Sequence, residues 1–223
     1  DVLILVPVFN ESKFIDKTIE KLLKKFKNIL VLNDGSTDNT LEIISSKEVD
    51  VISHQLNCGQ GAALETGFLY FIKFTNFKYI ATFDADGQHN VSDLESMIKL
   101  IKKKKLSAVI GTRFQNLNTI KQIPFLKRLT LKLGILFERI FYSIKNTDAH
   151  NGLRVISRSV VSDFLLPIKN HDMSHATEIS FKLGKKKLKT VEFPVSINYS
   201  NIKSQSILNS INIVFMLIIS NFR

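Results

Sequence analysis

The chain has 223 residues, 44% of them hydrophobic and 23% charged, which suits one globular domain large enough to bury a real core. A formal net charge of +11 favours anionic partners: nucleotide diphosphates, lipid phosphates, an acidic membrane surface or nucleic acid. The single cysteine, Cys58, excludes an intrachain disulfide, and no zinc-ligand spacing is present.

The first residues form a strand pattern and not a signal peptide, and an opening on Asp1 in place of Met points to trimmed ends. Apolar periodicity predicts a strand over 2–8 and a helix over 13–26. Between them stand Phe9, Asn10, Glu11 and Ser12, polar residues where a ligand would lie, although Asn10 or Ser12 serves equally well as a helix cap. A second strand over 28–32 runs into Asn33-Asp34-Gly35-Ser36-Thr37-Asp38. Asp34-Gly35 is a turn signal, and Ser36, Thr37 and Asp38 are competent caps for a helix over 40–46. Asp34 at a strand end can also bind a ribose hydroxyl or a base N–H.

A third strand over 49–53 is followed by Asn57-Cys58-Gly59-Gln60-Gly61 and a helix over 62–74. Glycines ahead of a helix let backbone amides approach an anion, and Gly59 and Gly61 serve tight packing equally well; neither a P-loop nor a Gly-X-Gly-X-X-Gly pattern is present. The fourth strand, over 79–83, delivers Asp84-Ala85-Asp86-Gly87-Gln88. Two carboxylates and an amide oxygen on a turn at the carboxyl end of a strand can grip a hard divalent cation, and through it a diphosphate.

A helix over 94–103 and a strand over 108–110 complete the βα alternation, which predicts a doubly wound, mostly parallel sheet with helices on both faces. The lysine runs 102–105 and 185–187 read as helix ends that complement the helix dipole, not as nucleic-acid patches. The second half is read as a loop over 115–121, a helix over 125–142 carrying Arg128 and Arg139, strands over 155–157 and 188–195, and a helix over 176–183. Arg113 and Arg154 offer planar forks suited to phosphate, while His171, His175 and Glu178 cluster near the last helix. Residues 1–203 are read as one domain. In 204–223, Gln205, Asn209, Asn212 and Ser220 form a polar stripe opposite Ile207, Ile211, Val214 and Ile218, the pattern of an amphipathic helix docked on the domain or lying in a membrane interface.

Taken in order, Val-Pro-Val-Phe-Asn-Glu, Asn-Asp-Gly-Ser-Thr-Asp, Asn-X-Gly-X-Gly-Ala-Ala, Asp-Ala-Asp-Gly-Gln-His, Gly-X-Arg and Asn-Gly-Leu-Arg resemble glycosyltransferase family 2 over about residues 2–200. The likeness is strongest to its dolichyl- and polyprenyl-phosphate sugar transferases and related bacterial polysaccharide enzymes. It implies a GT-A fold and inverting transfer from a nucleotide-diphosphate sugar to a polyprenyl-phosphate or glycan acceptor, at the inner face of a membrane and without nucleic acid. It also implies Pro7, Phe9, Glu11 and Asp34 in the nucleoside pocket, with Gly59 beside it. Asp84, Asp86 and Gln88 would then surround a magnesium or manganese ion, and Arg113 and Arg154 would face phosphates. Gln60 departs from a frequent Lys, and Asn33 from a frequent Asp.

On this reading Asp86 and Arg154 support the leaving nucleotide. A lipid-phosphate acceptor needs no strong base, whereas a sugar hydroxyl does, with Glu178 the first candidate and Asp148 and Asp172 weaker ones. Two rival functions are a sugar-phosphate nucleotidyltransferase, whose basic Gly-rich first loop is missing here, and a basic nucleotide-binding module, which the core-like spacing of the aromatics disfavours.

Overall fold

Apolar runs at seven places in the chain assemble into one sheet: β1 (Val2–Val8), β2 (Ile29–Asn33), β3 (Asp50–Ser53), β4 (Tyr79–Thr82), β5 (Ala108–Thr112), β6 (Arg154–Ser157) and β7 (Thr190–Pro194). The structure, a computed structural model, describes residues 1–115, 147–148, 151–172, 174–184 and 188–198. The strand order is β3-β2-β1-β4-β6-β5-β7. Only β6 runs against its neighbours, β4 and β5; every other pairing is parallel. The reversal follows from the path of the chain. It leaves β5 at the carboxyl edge and is still at that edge at Asp148, which binds Arg113, so Arg154 has to enter the sheet from the opposite direction.

Helices α1 (Ile15–Leu23), α2 (Thr40–Ser45), α3 (Gln60–Phe74), α4 (Val91–Lys104) and α5 (His175–Leu183) cover the sheet. Along β1 the side chains alternate between two cores. Ile4, Val6 and Val8 pack with Ile15, Ile19 and Leu22 of α1 and Leu94, Met97 and Ile101 of α4. Leu3 and Leu5 pack on the other face with Phe68 and Phe71 of α3 and Ile179 and Leu183 of α5. Helices therefore lie on both faces, as the alternation of elements predicts. α4 starts where Asn90 Oδ1 accepts the Ser92 N–H at 3.0 Å, and ends on Lys102, Lys103 and Lys104, whose charge complements the carbonyl end of the helix.

The carboxyl end of α3 is closed from outside the helix. Arg158 donates to the carbonyls of Phe71, Ile72, Thr75 and Phe77 at 2.7–3.2 Å, and its guanidinium lies 4.2 Å from the centre of the Phe71 ring. The last turn of a helix leaves carbonyls without intrahelical partners, and Arg158, with Thr75 Oγ1 on the Phe71 carbonyl, supplies donors to this one.

The order of strands places a crevice between β1 and β4. The chain moves from β1 to β2 and β3 on one side, then crosses back to β4 on the other, and such a switch point is where open α/β sheets bind ligands. Pro7 reinforces the gap. Ile4 and Val8 bond toward β2, and Leu5 bonds toward β4, so strand alternation points residue 7 toward β4. Proline has no N–H to continue that ladder, and the β1–β4 register ends at Leu5 and Thr82. The helix expected over 125–142, with Arg128 and Arg139, and the amphipathic segment 204–223 lie outside the described residues.

Candidate active site

Where β4 ends, the chain folds into a tight turn that carries Asp84 and Asp86. Gly87 adopts φ +73°, a left-handed conformation, and Thr18 Oγ1 of α1 donates to the Ala85 carbonyl at 3.1 Å. Asp86 Oδ1 accepts the Gln88 N–H at 2.9 Å, so Asp86 and Gln88 belong to the same turn. Asp84 is held from two sides. His89 Nε2 lies 3.0 Å from its Oδ2, and the Cα of Gly152 packs so closely that a Cβ there would stand 2.1 Å from that oxygen. Gly152 is itself fixed by its carbonyl, which accepts from Thr82 Oγ1 at 2.5 Å.

Burial pushes the Asp84 carboxyl upward, but the hydrogen bond and charge of His89, with Arg154 and His175 nearby, outweigh it and hold the group below the usual carboxylate range. Asp84 is thus ionised at neutral pH. Its side chain keeps 26% of its surface exposed, enough to reach a ligand in the crevice.

The loops after β1 and β2 are knitted to each other. Asn10, at φ 54°, donates its backbone N–H to Ser36 Oγ at 3.0 Å and accepts the Thr37 N–H at its Oδ1 at 2.8 Å. Asparagine tolerates the left-handed region better than most residues. The Glu11 N–H donates to Thr40 Oγ1 at 3.0 Å, which fixes the loop that presents Phe9, 42% exposed at the mouth. Burial is the largest single influence on Asp38 and pushes its pKa upward, but the hydrogen bonds from Thr40 and Ser12 together outweigh it, and the pKa falls to about 2.

Asp34, expected to meet a nucleoside, is buried and serves the neighbouring loop. It accepts N–H bonds from Cys58 at 3.0 Å and Gly59 at 2.8 Å and pairs with His54 Nδ1 at 2.7 Å. The Gly59 amide is therefore directed at a carboxylate and not at an incoming anion. Gly59, at φ +94°, and Gly61 meet the 170–172 segment so closely that a Cβ on either would fall 2.2–2.3 Å from a backbone carbonyl oxygen. Of the two readings of these glycines, close packing is the one the geometry supports.

Among the described residues Arg154 is the bulkiest fully buried side chain, 2% exposed, at the start of β6 and within electrostatic reach of Asp84 and His175. Burial, with the nearby Arg154 charge adding to it, lowers the pKa of His175 despite the Asp172 carbonyl 2.6 Å from Nδ1. Arg113 grips Asp148 through Nε at 2.6 Å and Nη2 at 3.1 Å, and Asp148 is only 1% exposed. Asp148 is thus the buried partner of an arginine, with both carboxylate oxygens engaged by it.

Glu178 is used in a comparable way. It accepts from the backbone of Lys169 at 3.1 Å and of Asn170 at 2.9 Å, from Asn170 Nδ2 at 2.8 Å, and pairs with Lys182 at 2.6 Å. Burial raises its pKa, but these donors bring it below the ordinary value. Its geometry is that of a loop anchor, and a base expected there finds no support in it.

The sequence pattern left His89 and Gly152 without a role. The former is legible in retrospect as a donor five residues beyond Asp84; the latter is not, because its contact joins the ends of two paired strands that lie far apart in sequence. The residues gathered at the crevice are hard oxygen donors with a buried arginine behind them, a chemistry suited to a metal-bridged anion.

The chain matches Glycosyl transferase family 2 over residues 3–165. It is 34% identical to an uncharacterised protein of Methanocaldococcus jannaschii, over 98% of this chain and 91% of that protein. It is also 28% identical to the UDP-N-acetylglucosamine–dolichyl-phosphate N-acetylglucosaminyltransferase of Methanococcus voltae, over 88% of this chain and 85% of the relative. The fold is shared with glucosyl-3-phosphoglycerate synthase of Mycobacterium tuberculosis, solved with Mn2+ and UDP-glucose; the TM-score is 0.71 at 14% identity, covering 98% of this chain and 78% of that one. A crevice of carboxylates at the β1–β4 switch point, the GT-A architecture around it and a family match across most of the chain agree: the protein belongs to glycosyltransferase family 2.

Proposed function

We propose that the protein transfers a sugar from a nucleotide-diphosphate donor to a polyprenyl phosphate, with inversion at the anomeric carbon. The observation that carries this reading is the clamped Asp84 carboxylate, ionised and aimed into the crevice between His89 and Gly152, with Arg154 behind it.

Asp84, Asp86 and Gln88 fit a magnesium or manganese ion by their donor chemistry, and the glycine at 152 reserves the space Asp84 occupies. Bound there, the ion would neutralise the charge that gathers on the departing nucleotide diphosphate. Arg154 adds a fixed positive charge on the same side. Pro7, Phe9 and Glu11 form the wall for the nucleoside, with Asp34 and Gly59 supporting it by holding the glycine loop in place. Arg113, oriented by Asp148, lies on the acceptor side. The acceptor phosphate is already anionic, so transfer needs no proton acceptor, consistent with the loop-anchoring position of Glu178 and the pairing of Asp148 with Arg113. The dolichyl-phosphate enzyme among the relatives supports this choice of acceptor, and the Mn2+ complex of the structural neighbour supports the choice of ion.

No helix among the described residues is long and apolar enough to cross a membrane. Residues 204–223 are proposed as a separate interfacial helix that brings 1–203 to the inner face of an anionic membrane. The test is to offer nucleotide sugars with Mn2+ and either a polyprenyl phosphate or the corresponding polyprenol. Sugar should pass to the phosphate alone. Transfer to the alcohol or to a glycan hydroxyl, with none to the phosphate, overturns the assignment.

A further inference from the structure

A second group of metal-type donors stands apart from the Asp84 turn, at the ends of β2 and β3. Asp34 follows β2, His54 follows β3, Cys58 precedes α3, and one donor atom from each lies within 4.8 Å of the other two. His54 is held at both ring nitrogens, Nδ1 at 2.7 Å from Asp34 Oδ1 and Nε2 at 3.0 Å from Thr66 Oγ1 on α3. The ring can therefore exchange tautomers without turning. Without a cation, Nδ1–H donates to Asp34; with a cation between them, Nε2–H can donate to the Thr66 hydroxyl and the Nδ1 lone pair can face the ion.

The carboxylate is oriented as well, by the Cys58 N–H on Oδ1 and the Gly59 N–H on Oδ2. An oxygen that accepts one amide retains a second lone pair. Asp34 is buried and Cys58 is exposed, so the group is closed at its floor and open at its thiol.

We propose that Asp34, His54 and Cys58 bind a thiophilic divalent cation, zinc by preference, with water in the fourth position. Carboxylate, imidazole and thiolate are zinc's usual protein ligands. With zinc about 2.0–2.1 Å from nitrogen and oxygen, the His54–Asp34 contact has to widen by only roughly 0.6 Å. On binding, the His54 proton moves from Nδ1 to Nε2, where Thr66 Oγ1 accepts it, and the Cys58 thiol releases its proton to solvent. The sulfur ligand separates this site from the oxygen donors of the Asp84 turn, which suit harder ions. The ion clips β2, β3 and the start of α3 together beside the crevice. The inference stands on these three donors and does not depend on the acceptor or nucleoside assignments above.

Cobalt titration of the chelator-treated full chain tests it. Co2+ should give a sulfur-to-cobalt charge-transfer absorption that Zn2+ abolishes. Cys58→Ser should remove the absorption, His54→Gln should weaken binding at least about tenfold by removing one of three ligands, and Asp86→Asn should leave it unchanged. Stabilisation by Zn2+ in thermal melts should follow the same order, since a ligand stabilises the state it binds. Cys58 is exposed, so the serine variant tests the site without disturbing the core. A folded wild-type chain with no thiolate-to-cobalt absorption overturns the proposal. Zinc stabilisation that survives in Cys58→Ser and disappears in Asp86→Asn overturns it too.

Discussion

A methyl group at position 152 would stand 2.1 Å from Asp84 Oδ2, closer than any real contact, so in Gly152→Ala the Asp84 carboxylate has to move. The backbone at 152 needs no left-handed angle, and the substitution acts through space alone. We expect Gly152→Ala to weaken Mn2+ binding, read by electron paramagnetic resonance, by about 10–100-fold, as for loss of a group that orients a ligand. Its melting temperature should stay near that of the parent. Unaltered Mn2+ affinity and activity would detach Asp84 from the ion. His89 acts on the same carboxylate from the other side, with its ring edge against Phe83 and its Nε2 on Asp84. His89→Ala should cost about tenfold in Mn2+ affinity, and His89→Gln, which retains an N–H donor, should recover part of it. Equal loss in both variants would mean that the ring matters only for packing.

Elements in this protein are fastened to each other by single polar side chains, and two of these fastenings are measurable. Arg158 satisfies the carboxyl end of α3 through five hydrogen bonds. Arg158→Ala removes all five bonds, leaving the Phe71 carbonyl only its bond from Thr75 Oγ1, and should destabilise the fold by about 2–4 kcal/mol in denaturant titration. Glu178 fastens the 169–170 loop to α5, and its pKa lies below the ordinary value, so its contribution is present above the unfolded pKa and fades as pH falls through the folded one. Glu178→Gln should therefore cost about 1–2 kcal/mol at pH 7, with the gap to the parent closing in acid, and should leave transfer to lipid phosphate intact. Loss of transfer from a stably folded variant would restore Glu178 as a base. The strands, the helix faces and the Asp84–Asp86 turn were legible in the sequence because each rests on local periodicity or turn chemistry. The partners of Asp34, Glu178 and Arg113 were not, since Cys58 is 24 residues from Asp34 and Asp148 is 35 from Arg113. Arg154 was read as a phosphate fork at a strand end; its burial inside β6 follows from an antiparallel insertion that no local pattern encodes.

At the scale of the whole molecule, one cluster of lysines among the described residues lies at the edge of the sheet opposite the crevice. Helices that cross over between parallel strands run against them, so the carboxyl ends of α1 and α4 sit at the amino edge of the sheet. The exposed Lys24, Lys25 and Lys27 after α1, and Lys102, Lys103 and Lys104 at the end of α4, gather there, far from Asp84. On the proposed function a lipid-borne phosphate enters the crevice at the carboxyl edge, and these lysines face away from that entry. Residues 204–222 carry an uncharged amphipathic pattern, and we propose that the docking role falls to that segment. Truncation after residue 203 should abolish co-flotation with anionic vesicles and transfer to vesicle-borne polyprenyl phosphate. Transfer to a short water-soluble prenyl phosphate should persist, because the crevice is intact. Replacing Lys102, Lys103 and Lys104 with Gln should leave flotation unchanged. A truncated protein that still floats, and is released by salt, would instead assign membrane attachment to the lysine edge and turn the crevice away from the bilayer.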